Sequence, residues 1–540
     1  MGKTGWYNAP NTLEENMTFQ LTYSTMFNPP QELHDNYEES LSAAKANLGQ
    51  EYPMIIGGED RYTEEKHQVF SPINTEWHLA TFQKGSAQDA QDAISAAKQA
   101  FEPWAHTPWT TRVAMVRKWA ARINERLFEI AAAMSLEVGK NRMEALGDVA
   151  ETVALIEYSC DMMDQNGGFI HPMDNDPLED FLSSNESVLR PYGVWLIISP
   201  FNFPGALVGG PAGAALVAGN TIIIKPASDT SWTSYLMSEA AREAGLPDGV
   251  VNFVTGKGSV VGDLLTNSED IDGITFTGSY EVGMGIFRTM AAGAYVKPCI
   301  LELGGKNPTL VSKNADIEDA AIGIVRSAFG LSGQKCSAAS RVYVEAEVYE
   351  QVVERVLALT EKLKVGDPTH QDVFMGPVIN RGAYENYAAY IQDLQASGRV
   401  RTGGKQLRDG DFAKGYYCAP TVVTDLAFEH RLWKEEMFLP ITTIGKVESL
   451  EEGMRYANDS VYGLTAGFYG NEEEREWFLD RIQAGVVYTN RPQGSTTGAW
   501  PGFQPFGGWK GSGSSGKNGG GLYYVPLYMH EQIQNRVRRA

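Results

Sequence analysis

With 540 residues, 43% of them hydrophobic and 21% charged, the chain has the make-up of an ordinary soluble globular protein and the length for more than one domain. A formal net charge of -22 argues against nucleic acid, whose phosphates it would repel. No stretch reaches the roughly 18 apolar residues of a membrane span. The four cysteines show no C-x-x-C spacing, so neither a zinc site nor a redox pair is expected, and a reducing compartment is.

Residues 1–50 mix polar and aromatic side chains and are expected to form an arm on a larger body. Their start, MGKTGWYNAP, has no signal-peptide apolar run, and the acidic, Arg-free continuation does not suit a mitochondrial presequence. Trp6 stands where myristoylation needs Ser or Thr, so a cytoplasmic protein is expected. From Ala87 to Lys140 apolar residues recur at helical spacing, as in Ala93, Ile94, Ala96, Ala97, Ala100 and Phe101. Residues 166–187 are a polar interruption rich in Gly, Pro, Asp and Ser.

Short apolar strands follow, each ending in a loop that opens a helix. Val194–Ile198 leads into Ser199-Pro200-Phe201-Asn202-Phe203-Pro204, and Thr221–Ile224 into Lys225-Pro226. Val250–Val254 leads into Gly256-Lys257-Gly258, and Ile274–Phe276 into Thr277-Gly278-Ser279. This alternation predicts an α/β fold with a parallel sheet covered on both faces, whose ligands collect at the carboxyl ends of the strands. A second α/β series runs from about Ala315 to Asn490. The glycine-dense stretch from Gly502 to Gly521 carries Phe503, Phe506 and Trp509, which predicts an ordered loop rather than a linker. Leu522–Tyr528 reads as a strand too apolar for a free edge, so pairing across a two-fold axis and at least a dimer are expected.

Gly256, Gly258 and Gly262 make a G-x-G-x-x-x-G, one residue off the usual dinucleotide spacing. Thr277-Gly278-Ser279 precedes a helix whose amides can receive a pyrophosphate, and Lys225 at its strand end can bond ribose hydroxyls. Cys160, Cys299 and Cys418 read as small buried hydrophobes. Cys336 differs: it follows Gly333-Gln334-Lys335 and precedes Ser337-Ala338-Ala339, a setting that suits an accessible thiol near a helix N-terminus with a lowered pKa. Glu302, between Leu301 and Leu303 and ahead of two glycines, is expected to be half-buried and aimed into a cleft. A thiol near a carboxylate that can activate water is what covalent aldehyde oxidation requires.

From about residue 50 to its C-terminus the chain resembles the aldehyde dehydrogenase superfamily. The motifs that carry the resemblance are SPFNFP (199–204), Lys225-Pro226, FTGSYEVG (276–283), LELGGKNP (301–308) and FGLSGQKC (329–336). VGDP (365–368), MGP (375–377), EEMF (435–438) and PFGGWKGSG (505–513) complete the set. The resemblance implies a Rossmann-like nucleotide-binding domain over 50–165 and 191–304 and a catalytic domain over 305–495. It further implies an oligomerisation element from 166–190 and 496–540, beside the arm 1–50. It implies that Cys336 attacks the aldehyde, that Asn202 and the Cys336 amide hold the oxyanion, and that Glu302 activates the water that hydrolyses the thioester. It implies NAD, held by Lys225, Gly258, Gly278 and Ser279, with Glu436 on the nicotinamide ribose and Phe438 packed nearby. Ser228 stands where many relatives carry a glutamate that bonds the adenine ribose, so NADP is admitted beside NAD. Leu439 replaces the glycine usual before Pro440.

Ser337, directly after the nucleophile, and Gly498-Ala499 resemble the substrate anchor of the L-glutamate γ-semialdehyde (1-pyrroline-5-carboxylate) dehydrogenases. There a hydroxyl and adjacent amides grip the α-carboxylate, an arrangement suited to an anion. Phe203 is expected beside the same substrate. The leading expectation is oxidation of that semialdehyde to glutamate in proline catabolism. Another semialdehyde or a general aliphatic or aromatic aldehyde is the enzyme alternative. A non-catalytic protein on the same fold is the other, against which the joint presence of Cys336, Glu302 and Asn202 weighs. The chain is too short for an additional proline-oxidising barrel, so any partnership with a proline dehydrogenase would be between chains.

Overall fold

The computed structural model of the chain describes residues 21, 25, 26, 28–491 and 500–540. Two seven-stranded sheets organise it. The first uses β1 (Met54–Ile56), β2 (Glu59–Arg61), β3 (Val194–Ile198), β4 (Thr221–Lys225), β5 (Val251–Phe253), β6 (Gly273–Thr277) and β7 (Cys299–Glu302), in the order β7-β6-β3-β4-β5-β1-β2. The five strands β3 to β7 are parallel, and β1 and β2 close one edge antiparallel. Ile222, Ile223 and Ile224 are all fully buried, because helices cover both faces. Burying each such side chain contributes about 2 kcal/mol. The chain runs outward from β3 through β4 to β5, then returns to lay β6 on the other side of β3. That reversal leaves a crevice at the carboxyl ends of β3 and β6, the usual place for a ligand in an open α/β sheet.

Helix α1 (Gln31–Ala46) packs through Leu33, Tyr37 and Leu41 into the core formed by α2 (Ala87–His106), α3 (Trp109–Glu125), α4 (Leu127–Val138), α5 (Arg142–Gln165) and α6 (Ala206–Ala218). Asn141 caps α5 by accepting the Glu144 amide at 2.9 Å. Beyond α7 (Ser231–Glu243), a π turn at Gly258–Gly262 opens α8 (Asp263–Asn267), and Ser279 caps α9 (Tyr280–Ala291).

The second sheet follows β7 after a four-residue turn. It contains β8 (Asn307–Val311), β9 (Ala339–Glu345), β10 (Arg399–Thr402), β11 (Thr421–Thr424), β12 (Ile441–Val447), β13 (Thr465–Tyr469) and β14 (Val486–Thr489), in the order β10-β11-β12-β9-β8-β13-β14. Only β10 runs antiparallel to its neighbour. Helix α10 (Ile317–Phe329) joins β8 to β9. The amino end of this sheet therefore faces the carboxyl end of the first.

The interruption at 166–187 forms a hairpin of Ile170–Met173 and Phe181–Pro191, to which Met529–Arg539 adds as a third strand. The strand expected at Leu522–Tyr528 is not one. Val525–Tyr528 is a 3-10 turn, as suits Pro526, which has no amide to give a ladder. Its aromatics serve the core instead: Tyr528 is fully buried and its hydroxyl meets Tyr524 Oη at 2.8 Å and Thr275 Oγ1 at 3.1 Å. The strand proper begins at Met529 and is largely polar. Ile170, Met173, Phe181, Leu182, Ile533 and Val537 are the exposed apolar side chains on its three-stranded sheet.

Candidate active site

Strand β3 delivers Asn202, β7 ends at Glu302, and the loop between α10 and β9 delivers Cys336. Because β7 and β8 are joined by Leu303–Lys306, and Asn307 pairs in register with Ala339, the carboxylate and the thiol are brought to one place from opposite sheets. Asn307 fixes the thiol's backbone: its Nδ2 donates to Cys336 O at 2.6 Å and to Ala338 O at 2.9 Å, while its Oδ1 accepts the Thr465 amide at 2.9 Å. Asn202 is buried and its Nδ2 donates to Gln334 O at 3.0 Å, which ties it to the Cys336 loop.

One cavity is lined by Cys336, Ser337, Glu302, Phe203, Phe506 and Glu151. Glu302 is half-buried, as expected, and its Oε2 is buried with no hydrogen-bond partner among the described residues. Burial holds its carboxyl well above the usual range. Glu436 lies against Gly304: a Cβ there would come within 2.1 Å of Glu436 Oε2, so any larger residue would displace the carboxylate. Glu436 Oε1 accepts the Gly305 amide at 2.9 Å, and burial pushes the acid up to about 7.

The expected lowering of the Cys336 pKa is overturned. The thiol follows α10 and a 3-10 turn and leads into a strand, so it does not stand at the start of a helix of its own. Burial pushes it up to about 12, reinforced by the charges of Glu436 and Glu302, against which the Cys336 and Ser337 amides are the weaker influence. The approach to it is a strained turn. Leu331, Ser332 and Gly333 have φ of 47°, 54° and 68°, which costs about 1–2 kcal/mol for each of the two non-glycine residues. At Gly333 a Cβ would meet Leu439 O at 2.2 Å, so the backbone of the 438–440 turn packs directly on this one. Phe438 is itself left-handed at φ 57° and stacks edge-on with Phe201, ring centroids 5.8 Å apart. The side chain of Leu439 is buried in the core of the second sheet.

The nucleotide-binding candidates line the carboxyl ends of β4, β5 and β6. Lys225 is buried, and its Nζ reaches Pro226 O at 3.2 Å. Burial lowers its pKa. Gly262 stands beside its stem, Cε lying 3.5 Å from a Cβ built there, while a Cβ on Gly258 would meet nothing. Gly278 donates to Glu302 O at 3.1 Å, and Ser279 Oγ accepts the Val282 amide at 3.4 Å as the cap of α9. Ser228 is exposed in a short 3-10 turn after Lys225. A buried cation at a strand end, an open glycine turn and an exposed helix N-terminus together fit a dinucleotide. Gly498 and Ala499 lie outside the described residues.

A family model described as the aldehyde dehydrogenase family matches residues 60–532. The chain belongs to the aldehyde dehydrogenase family. It is 39% identical over 504 residues to a 1-pyrroline-5-carboxylate dehydrogenase of Geobacillus sp. (strain WCH70), covering 92% of this chain and 95% of that one. A structure of 1-pyrroline-5-carboxylate dehydrogenase from Thermus with bound NAD superimposes over 100% of both chains with a TM-score of 0.89 at 34% identity. A proline utilization A structure from Bdellovibrio bacteriovorus matches 94% of this chain and 52% of its own length, with a TM-score of 0.88 at 30% identity. As an aldehyde dehydrogenase the protein is an oxidoreductase acting on aldehyde groups with NAD(P) as cofactor, on the α/β fold that the sequence predicted. No helix among the described residues is long and apolar enough to cross a membrane.

Three acidic residues beside the candidate site of this aldehyde dehydrogenase escaped the sequence reading. Glu144, Asp148 and Glu151 share one face of α5, four and then three residues apart, and all three are buried. Asp148 pairs with the fully buried Lys140 at 2.7 Å, and Lys140 Nζ sits 3.5 Å from the ring centroid of Phe203. The signal was present in the sequence as acids at helical spacing along a face that a packed helix would fill with apolar residues.

Proposed function

We propose that this enzyme oxidises L-glutamate γ-semialdehyde, formed by ring opening of 1-pyrroline-5-carboxylate, to glutamate as a step of proline breakdown. The observation that carries this reading is the single cavity in which Cys336 and Glu302 meet the Ser337 hydroxyl and the Glu151 carboxylate. A thiol and a base suit the aldehyde end. A hydroxyl and a carboxylate suit the α-carboxylate and α-ammonium of an amino acid. The names of the relatives support the same substrate.

Cys336 Sγ, as thiolate, adds to the aldehyde carbon and gives a thiohemiacetal. Its oxyanion is held by Asn202 Nδ2 and the Cys336 amide, each such donor being worth about 3 kcal/mol. NAD, when bound, would supply the hydride acceptor for that carbon. The resulting thioester on Cys336 is attacked by a water whose proton goes to Glu302, and glutamate leaves with the thiolate restored. Lys225 holds the adenine ribose, Ser279 with Gly258 and Gly278 the pyrophosphate, and Glu436 the nicotinamide ribose beside Phe438. Ser228 brings no carboxylate against a 2′-phosphate, so NADP is tolerated. Ser337, with Gly498 and Ala499, grips the α-carboxylate, and Phe203 walls the aldehyde chain. The enzyme works in the cytoplasm as at least a dimer through the sheet of residues 170–191 and 529–539. The nucleotide-binding (50–165, 191–304) and catalytic (305–495) domains meet at the site, and a proline dehydrogenase is the partner whose product this enzyme would take.

The test is NADH formation with 1-pyrroline-5-carboxylate beside uncharged aldehydes of similar length at equal concentration. A strong preference for the former is expected, and equal or better rates with the uncharged panel would sink the substrate. Ser337→Ala should lower kcat/KM for the semialdehyde roughly 10- to 100-fold, as for loss of a hydrogen bond to a charged group. Uncharged aldehydes should be nearly unaffected, and equal losses for both would remove the carboxylate-anchor argument.

A further inference from the structure

Lys335, the residue immediately before Cys336, is buried, and its ammonium donates to Glu144, a buried residue of the first turn of α5. The other oxygen of the same carboxylate accepts the Leu331 amide at 3.2 Å and Asn141 Nδ2 at 3.1 Å. One side chain thus grips both ends of the turn whose residues Leu331, Ser332 and Gly333 are left-handed. The fit is close: a Cβ on Gly330 would stand 2.8 Å from Lys335 Nζ and 3.0 Å from Glu144 Oε1. On the far side of the turn, Gln334 O receives Asn202 Nδ2 at 3.0 Å. Glu144, the strained turn, Asn202 and the thiol therefore form one continuous chain of contacts.

We propose that Glu144 is a positioning residue for the first chemical step: through Lys335 and the Leu331 amide it sets Cys336 and Asn202 in register for addition to the aldehyde carbonyl. The inference rests on Cys336 being the nucleophile of the reaction proposed above. A buried ion pair is a costly way merely to fill space, since apolar side chains of similar size usually do so as well or better. Two contacts from one carboxylate, to Lys335 and to the Leu331 amide, with Asn141 at the start of α5 holding that carboxylate in place, are instead a way to fix the geometry of a strained segment. Left-handed residues persist only where their surroundings hold them.

Two variants test this. Glu144→Asp keeps the charge but withdraws the carboxylate by one methylene. The double variant Glu144→Gln, Lys335→Met removes both charges and leaves none stranded. For each, kcat per titratable thiol, KM for NAD, the alkylation rate of Cys336 and thermal stability are measured. Ile123→Val, a fully buried substitution in α3, serves as a control for stability loss alone. Expected for both variants is a fall in kcat of roughly 10- to 100-fold with KM for NAD unchanged, as misplacement of a reacting group by a fraction of an ångström to an ångström produces. Wild-type kcat per thiol with only a lowered melting temperature, matching the control, would overturn the proposal, and so would failure of both variants to fold. Activity retained by Cys336→Ala would instead defeat the nucleophile assignment, which separates the two failures.

Discussion

Cys336→Ala is expected to abolish aldehyde oxidation, lowering kcat by a factor on the order of 10⁴ or more, while NAD binding is unchanged. The size follows from what alanine removes. Without Sγ no covalent adduct forms, and Asn202 has no oxyanion to hold. The nucleotide contacts proposed for Lys225, Ser279 and Glu436 belong to other elements, and Asn307 binds the carbonyls of residues 336 and 338 rather than their side chains, so the loop should keep its course. Fluorescence titration with NAD and a steady-state assay check both halves, and retained turnover would remove the nucleophile from the mechanism. The pH dependence offers a second handle. Burial and two carboxylates push Cys336 up to about 12, so the neutral thiol dominates below that and the reactive thiolate is scarce at neutral pH. Alkylation of Cys336 by iodoacetamide in the cofactor-free enzyme should therefore accelerate roughly tenfold per pH unit from 7 towards 10. A rate that levels off near pH 7 would mean a thiol ionised more easily than its surroundings indicate.

The contrast with the sequence reading is instructive at this same residue. FGLSGQKC marked the candidate nucleophile, and the apolar strands ending in SPFNFP, Lys225-Pro226 and Thr277-Gly278-Ser279 marked the crevice, because unbroken apolar runs and strand-end loops are local properties. The sign of the Cys336 shift was not local. It depends on Glu302 and Glu436, which arrive from 34 residues before and 100 after, and on whether a helix starts or stops at the thiol. The Leu522–Tyr528 segment failed for a related reason. Its aromatics look alike whether they stand on an exposed sheet or fill the space beside Thr275, and only tertiary packing decides. Glu144, Asp148 and Glu151 were visible as a stripe, yet a charged stripe on a helix ordinarily faces water. Recognising it required knowing that α5 is enclosed by α3, α4 and α6.

Glu302→Gln should give one equivalent of NADH per site and then stall, with steady-state turnover down roughly 10²- to 10⁴-fold, the usual contribution of a general base. Glutamine keeps the shape at the end of β7 but cannot take a proton, so the thioester forms and is not hydrolysed. The first step should survive, because the substitution removes one of the two charges that hold the Cys336 thiol up, and alkylation should be no slower than in the parent enzyme. Were alkylation abolished, Glu302 would be acting on the thiol rather than on water, and unchanged steady-state turnover would refute its role as base altogether. Stability provides an independent check with a definite sign. Burial raises the folded-state pKa of Glu302 well above 4.5, so the folded protein holds this proton more tightly than the unfolded chain. Its contribution to stability is then fully present below about 4.5 and is lost as pH rises through the folded pKa. Glutamine carries no such proton, so the variant's melting temperature should gain on that of the parent enzyme as pH increases across that window. A carboxylate kept buried at this cost, its Oε2 with no hydrogen-bond partner among the described residues and its side chain lining one cavity with the thiol, is what the proposed role as base calls for.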